Sequence, residues 1–425
     1  MADWSSSMIQ SFEFYEVDPT TYAGTIEKRW TDKKRLTNIK KCTINRDSET
    51  STLGSATFDV TESVGECYIR VYLVTIQNGV TEKHPLGTFL AQTPSSKFDG
   101  KIRTVSMDAY TPLIELKEKS PPIGYYIPKG SDIMEYAYNL MNENMRGPIS
   151  KPAIPSTELS YDFVSDTNDT WLDFLTDLVS ASTVTTNHKV LYGEAGQFTR
   201  SHEEINIPED ANAVPTLHKT TSNDAVYQYV DTEGSIHYYC SVESVIRYKL
   251  GLDELGRVLF MPEQDVESMT PVWTYTDDNS SILHPDINMN HDLYGIPNVV
   301  EVVYADGESY IESRIVNDDP NSPVSTVSRG REIGYRVVNP DIHGKATQKV
   351  VDKYAEDLLS ALSSVEYTVS YTHGYCPVRV GDCVRLNYTR AGLKNIKAKV
   401  VSQSIKCETG CSVSEKAVFT SKLWR

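Results

Sequence analysis

A chain of 425 residues is too long for one compact core, so about two to four domains are expected. Hydrophobic residues make up 39% and charged residues 23%, while 58 acidic against 41 basic side chains leave a net charge of −17. That excess repels phosphate backbones and argues against tight nucleic-acid binding; no apolar stretch approaches the roughly 20 residues that cross a bilayer, which argues against stable membrane association.

The opening residues Met1-Ala2-Asp3-Trp4-Ser5 lack the basic-then-apolar pattern of a signal peptide, so folding in a cytoplasm is expected. Seven scattered Cys, an odd number, argue against a disulfide framework. The composition also holds 26 Tyr against 10 Phe. Tyrosine suits half-buried pleated surfaces with one wet end, which points to much β-structure and partly polar contact surfaces.

The run Glu27-Lys28-Arg29-Trp30-Thr31-Asp32-Lys33-Lys34-Arg35, with Lys40 and Lys41 beyond, is the one basic stretch in an acidic chain. It reads as a solvated or subunit-facing strip, with a phosphate-binding patch as the alternative. Cys67 to Ile76 is β-branched and aromatic, and the Asn78-Gly79 that follows easily adopts positive φ at both centres of a type I′ hairpin turn. Leu86 to Ala91 makes the return strand, and a turn at Asp99-Gly100 leads into Ile102 to Met107. These antiparallel ribbons predict a small barrel over residues 1–119.

Pro121-Pro122 breaks that pattern. The spacing of Ile133, Met134, Ala137, Leu140, Met141 and Met145 predicts a helix over Asp132 to Arg146, with Ser131 as N-cap and Gly147-Pro148 as the stop. A second helix follows Thr170, whose spacing to Asp173 is that of a capping box; Trp171, Phe174, Leu175, Leu178 and Val179 form its stripe. Between them Pro148, Pro152 and Pro155 read as loop, and beyond Val190 short strands such as Arg257 to Phe260 appear. Residues 120–292 are thus an inserted α+β region.

Residues 293–425 form the last module. Val299 to Tyr304 and Tyr310 to Val316 flank Asp306-Gly307, a second hairpin signal. A helix is expected from about Gly344 to Leu362, then strands over Val365 to Thr372, Cys383 to Tyr388 and Ile396 to Ile405. Val380-Gly381-Asp382-Cys383 echoes Val64-Gly65-Glu66-Cys67, and each leads into strands parted by a Gly-containing turn, Thr409-Gly410 or Asp99-Gly100. The fold class expected is therefore β-rich α+β: two small antiparallel β-barrel modules flanking an α+β insertion.

Chemistry is harder to find. Cys376, Cys383, Cys407 and Cys411 crowd the last module, and the three residues between Cys407 and Cys411 loosely meet zinc-ligand spacing. Cys376 and Cys383 are too far apart for the usual knuckle, so buried inert thiols are expected. Asp286-Ile287-Asn288-Met289-Asn290-His291-Asp292 resembles the opening of a calcium loop, but His291 and Pro297 stand where Gly and Glu are required, so it reads as a polar connector. The nine His (His84, His188, His202, His218, His237, His284, His291, His343 and His373) form no metal-ligand spacing, and no nucleophile elbow, P-loop or dinucleotide fingerprint is present. A glycosidase carboxylate pair has no fixed spacing and could sit among 58 acidic residues. No catalytic, cofactor-binding or metal residue is assigned, and no enzyme is expected.

The arrangement resembles the hub proteins of phage tails and related contractile systems, the baseplate hub and late control protein D family. The features that carry the likeness are Ser106-Met107-Asp108-Ala109-Tyr110 closing the first module, the helical insertion, Leu252-Asp253-Glu254-Leu255-Gly256-Arg257-Val258-Leu259-Phe260, Asp292-Leu293-Tyr294-Gly295-Ile296-Pro297-Asn298-Val299-Val300-Glu301-Val302, and the Val380-Gly381-Asp382 strand. It covers nearly the whole chain as a pattern of modules. The resemblance implies two barrels per chain and a homotrimeric ring whose six barrels imitate the six-fold tail tube. It also implies tail-tube or distal tail proteins and a tape-measure protein on one side, spike or fibre proteins on the other, and DNA in transit through the lumen. A negative wall suits that transit, because it does not hold a polyanion. The protein would reside in the virion tail, assembled in the host cytoplasm. Since Trp424-Arg425 follows the second module directly, any lysin is expected to be a separate protein. The alternative function is a tail-tip carbohydrate-binding or carbohydrate-cleaving protein.

Overall fold

The computed structural model describes residues 2–19, 30–62, 65–98, 100, 103–153, 157–193, 199–204, 214–215, 226–230, 235–278, 281–305, 310–340 and 347–423. The chain divides into two compact units: Met1–Pro271 with Gly374–Val380 and Gln403–Val413, and Val272–His373 with Gly381–Ser402 and Ser414–Arg425.

The first unit opens with seven strands: β1 (Ile9–Asp18), β2 (Thr31–Leu36), β3 (Ile39–Asp47), β4 (Gly54–Val60), β5 (Cys67–Gln77), β6 (Val80–Phe98) and β7 (Arg103–Tyr110). They neighbour in the order β3-β4-β7-β6-β5-β1-β2, every pair antiparallel. Between β5 and β6, Asn78 and Gly79 have φ of 51° and 78°, the left-handed pair a type I′ turn requires. Strict alternation in β4 buries Ala56, Phe58 and Val60, and the sheet curls so that these meet Phe14, Val71 and Leu73 of β1 and β5. Phe14 and Phe58 meet edge to face with centroids 6.2 Å apart.

Among the described residues no sheet closes into a barrel. The edge of β3 that closure would require is taken by the last residues of a C-terminal strand, where the Cys407 N–H donates to Cys42 O at 2.9 Å. The β-rich α+β class therefore holds, with a curled open sheet where closure was expected.

Beyond the sheet come α1 (Ile114–Lys117), β8 (Tyr126–Ile127), α2 (Ile133–Asn144), β9 (Phe163–Val164) and α3 (Trp171–Ser180). Helix α3 starts on the expected capping box of Thr170 and Asp173, both halves present. Helix α2 is capped by Asp132, whose side chain accepts from the Glu135 N–H at 2.8 Å, and not by Ser131. The carboxylate reaches the third backbone N–H of the helix, and the frame shifts by one residue. Six more strands follow: β10 (Thr183–Gly193), β11 (Thr199–Glu204), β12 (Val214–Pro215), β13 (Val226–Val230), β14 (Ile236–Leu252) and β15 (Val258–Pro262). Leu140, Met141, Phe174, Leu175, Leu178 and Leu250 are among the residues of a second core that joins α2 and α3 to β14.

The second unit holds β16 (Trp273–Thr276), β17 (Leu283–His291), β18 (Val299–Ala305), β19 (Tyr310–Val316), α4 (Thr326–Arg329), β20 (Gly334–Val338) and α5 (Gln348–Leu362). It continues with β21 (Ser364–Gly374), β22 (Cys383–Asn387), β23 (Ile396–Lys406) and β24 (Ser412–Lys422), the ends of three of these strands counting in the first unit. Helix α5 buries Val351, Ala355 and Leu359 against Val300 and Val302 of β18. The strands β18 and β19 pair as expected, although their Asp306-Gly307 turn lies outside the described residues. Helix α5, expected from about Gly344, which lies outside the described residues, starts at Gln348 with Thr347 as its N-cap. The segment Asp286–Asp292 is no connector: residues to His291 form β17, laddered on β21 from Ile287↔Tyr371 to His291↔Tyr367.

The sequence echo has a backbone counterpart. Gly65 before β5 and Gly381 before β22 have φ of 72° and 97°, and Gly100 and Gly410 before the third strands have 92° and 88°. At Gly54 φ is 152° and a Cβ would lie 2.6 Å from Asn45 O. Replacing it with alanine is expected to lower the unfolding free energy in urea by about 1–3 kcal/mol, because neither backbone nor carbonyl can yield.

Candidate assembly surface

The segment Asp253–Arg257 folds into a tight turn because one carboxylate satisfies it from within. Asp253 accepts from the N–H groups of Leu255 at 3.0 Å and Arg257 at 2.8 Å, and from Arg257 Nε at 3.0 Å. Gly256 takes φ of 80° there, and a Cβ would meet Thr88, Pro112 and Trp30 at 3.1 to 3.3 Å. The turn is thereby pressed onto the face of the curled sheet that points away from the core.

That face carries a set of buried charges. Arg70 of β5 donates to Thr88 Oγ1 at 3.0 Å, Asp32 Oδ1 at 3.0 Å and the Leu255 carbonyl at 3.2 Å. Thr88 Oγ1 in turn donates to the Glu254 carbonyl at 3.2 Å. The Glu254 side chain, 11% exposed, lies 2.7 Å from Arg379 Nε and 3.7 Å from Arg46 Nη2. Arg46 also reaches the Leu86 carbonyl and Gln403. One glutamate thus joins β3, the turn after β14, and the returning segment 374–380 of this unit.

Next to it, Glu115 of α1 accepts from the Tyr68 hydroxyl at 2.7 Å and from Arg146 Nε at 2.6 Å and its backbone N–H at 2.7 Å. Burial, then the Glu115 charge, pushes the Tyr68 hydroxyl well above the usual phenol range. Trp30, at φ 67°, is buried against Tyr68 with centroids 4.2 Å apart and donates to the Arg146 carbonyl at 3.0 Å. A left-handed tryptophan costs backbone strain, and these contacts hold it.

The second unit has its own buried polar cluster. The His373 and Glu415 side chains are both 0% exposed, with Nε2 and Oε2 3.4 Å apart. Tyr275 lies 3.1 Å from His373 Nε2, and the hydroxyls of Tyr275 and Tyr371 both donate to Glu415 Oε1. Three elements, β16, β21 and β24, meet in this cluster. Each carboxylate of these clusters accepts from cations or phenols inside packed layers, an arrangement that fixes register.

The residues singled out from sequence are placed as follows. Lys33 and Arg35 on exposed β2 are engaged by Glu16 and Glu13 at 3.1 Å each; residues 27–29 lie outside the described set. Cys376, Cys407 and Cys411 are buried in the first unit and Cys383 in the second. A hydrogen bond with Cys42, then burial, pushes the Cys407 thiol up; burial pushes Cys411 up. Among the described residues no three His, Cys, Asp or Glu gather as a metal site. His84 packs on Trp4, His291 on Tyr367 and His237 on Tyr229. The side chains of His188, His202, His218 and His343 lie outside the described residues. The clusters around Glu115, Glu254 and Glu415 had no local signature, since their partners stand 31 to 208 residues away.

No protein-family model and no curated protein sequence matches the chain. Similar solved structures include a tail protein from Neisseria meningitidis MC58, at 11% identity and TM-score 0.49 over 98% of both chains. A 43 kDa tail protein of prophage MuSo2 from Shewanella oneidensis follows at 9% and 0.47, over 96% of this chain and 98% of that one. A third is a Francisella PdpA–VgrG complex at 9% and 0.42, in which the match takes 97% of this chain but 52% of the other.

Two outcomes check the buried clusters. Glu415→Gln is expected to cost about 1–3 kcal/mol in chemical denaturation, since it weakens the acceptor of two buried tyrosine hydroxyls. Glu301→Gln, which loses partners on the solvent-facing side of β18, should leave the midpoint in place. In thiol titration, Cys407 and Cys411 should react only after unfolding; prompt reaction of either in the native protein would contradict their burial.

Proposed function

We propose that the chain is a structural hub subunit of a phage tail or baseplate and acts without catalysis. Three copies form a ring that adapts the six-fold tail tube to a three-fold spike or fibre assembly. In this reading residues 1–119 and 293–425 supply the two tube-like modules, and residues 120–292 the region inserted between them. Tail-tube or distal tail proteins and the tape-measure protein lie on one side, and DNA passes through the lumen without being held. The site of action is the virion tail.

The observation that carries the reading is the echo of two three-stranded units, each opened by a left-handed glycine, Gly65 or Gly381, and each with another, Gly100 or Gly410, before its third strand. Two such units per chain give three chains six, the number a six-fold tube requires. The net charge of −17 agrees with a passage that must not retain DNA. Half-buried arginine–carboxylate clamps agree with a part whose task is to hold surfaces in register.

Mass measurement on the purified protein tests this. A trimer is expected; a stable monomer or dimer, with no ring in particles, would sink the reading.

A further inference from the structure

Residues 381–402 of the second unit invert the charge of the chain. They hold five cations, Arg385, Arg390, Lys394, Lys397 and Lys399, against one acid, Asp382, in a molecule of net charge −17. Outside them 36 basic side chains stand against 57 acidic ones. The antiparallel ladder of β22 and β23 puts three of these cations on one face. Arg385 stands directly opposite Lys397, and Lys399 opposite Cys383. Opposed residues share a face, as do residues two apart on one strand, so the three side chains start within roughly 5–8 Å of their neighbours. The other face is the core side, where Val384, Leu386, Ala398 and Val400 are all buried. Across β22 the exposed Thr274 of β16 pairs with Arg385 and continues the polar row.

Such a face breaks a local rule. Like charges directly opposed across two strands are destabilising, and Arg385 and Lys397 are both half-buried, where solvent screens them less. Arg390, in the turn between the strands, is engaged by Asp277, with its Nε 3.6 Å from the carboxylate. Arg385 Nε, by contrast, is buried with no hydrogen-bond partner among the described residues. An acidic surface laid on this face would supply the acceptor that Arg385 lacks and offset the crowding of like charge.

We infer that the Arg385–Lys397–Lys399 face receives an acidic surface of a neighbouring copy of the same chain. Such a contact rests on the three-chain ring proposed above and gives that ring its direction. Two basic faces repel each other across a two-fold axis, so this patch cannot make the self-complementary contact of a dimer. A basic face set on a different, acidic part of the next copy runs head to tail, which is the kind of contact that closes rings. The chain's own excess of acid makes every copy a fitting partner, and attraction at this face opposes the repulsion between two bodies of charge −17.

Sedimentation of the full chain over a concentration series tests the contact. The double variant Arg385→Gln/Lys397→Gln, and separately Lys399→Glu, are each expected to raise the concentration at which trimers form about tenfold or more, and high salt should act on the native chain in the same direction. The double variant should keep its thermal midpoint, because it removes an opposed like-charge pair; Lys399→Glu keeps the test sound if the double variant disturbs the fold. Lys349→Gln/Lys353→Gln on the exposed side of α5 removes the same charge elsewhere and should leave assembly unmoved. A native trimer indifferent to both face variants, or weakened equally by the α5 variant, overturns this contact and leaves the ring standing. A native chain that never forms trimers overturns the ring, and the contact with it. Duplex DNA that binds the native chain but neither face variant, with trimers intact in all of them, would make a polyanion the occupant and overturn the contact as well.

Discussion

In the first unit one half-buried glutamate ties three distant segments of the chain together. Glu254 stands in a turn with no apolar side chain to anchor it except Leu255, yet it meets Arg46 from β3 and Arg379 from a segment that returns more than a hundred residues later. Arg70 and Thr88 grip the carbonyls of the same turn from β5 and β6. An arginine fork buried beside a carboxylate is costly unless every donor is satisfied, and here the donors reach carboxylates, a hydroxyl, an amide oxygen and carbonyls. The arrangement specifies one register among sheet, insertion and returning chain. Hydrophobic burial alone, which lacks direction, would leave that register loose.

The curled sheet follows from the same competition for edges. An edge strand must be paired, covered or charged. The free edge of β3 is taken by the end of β23, while β2 remains at the border with Thr31, Asp32, Lys33, Lys34 and Arg35 exposed. The basic strip is thus partly a guard for an open edge, its Lys33 and Arg35 held by acids of β1. Burial of Phe14, Phe58 and Leu73 between the two halves of the sheet supplies the core that a closed barrel would have had.

Local chemistry was legible in the sequence and distant chemistry was not. Asn78-Gly79 specified its turn, because few other dipeptides accept two left-handed residues, and Thr170 with Asp173 specified a helix start. Ser131 and Asp132 are adjacent capping residues, and nothing local in the sequence decides between them. Strand β17 was hidden because Asn288, Asn290 and His291 read as loop, whereas its ladder to β21 and the stacking of His291 on Tyr367 at 4.6 Å hold it extended. Closure failed as an expectation because the competing strand lies over 350 residues away from β3. The assembly itself was read from duplication and resemblance, not from any site residue.

We propose that each chain gives two tube-like modules to a three-chain ring. A low-resolution image of the assembled particle tests it most directly. A three-fold ring at the end of the tube, with six similar lobes on its inner wall, is expected. A ring of six copies, or density for this chain only at a peripheral fibre, would contradict it.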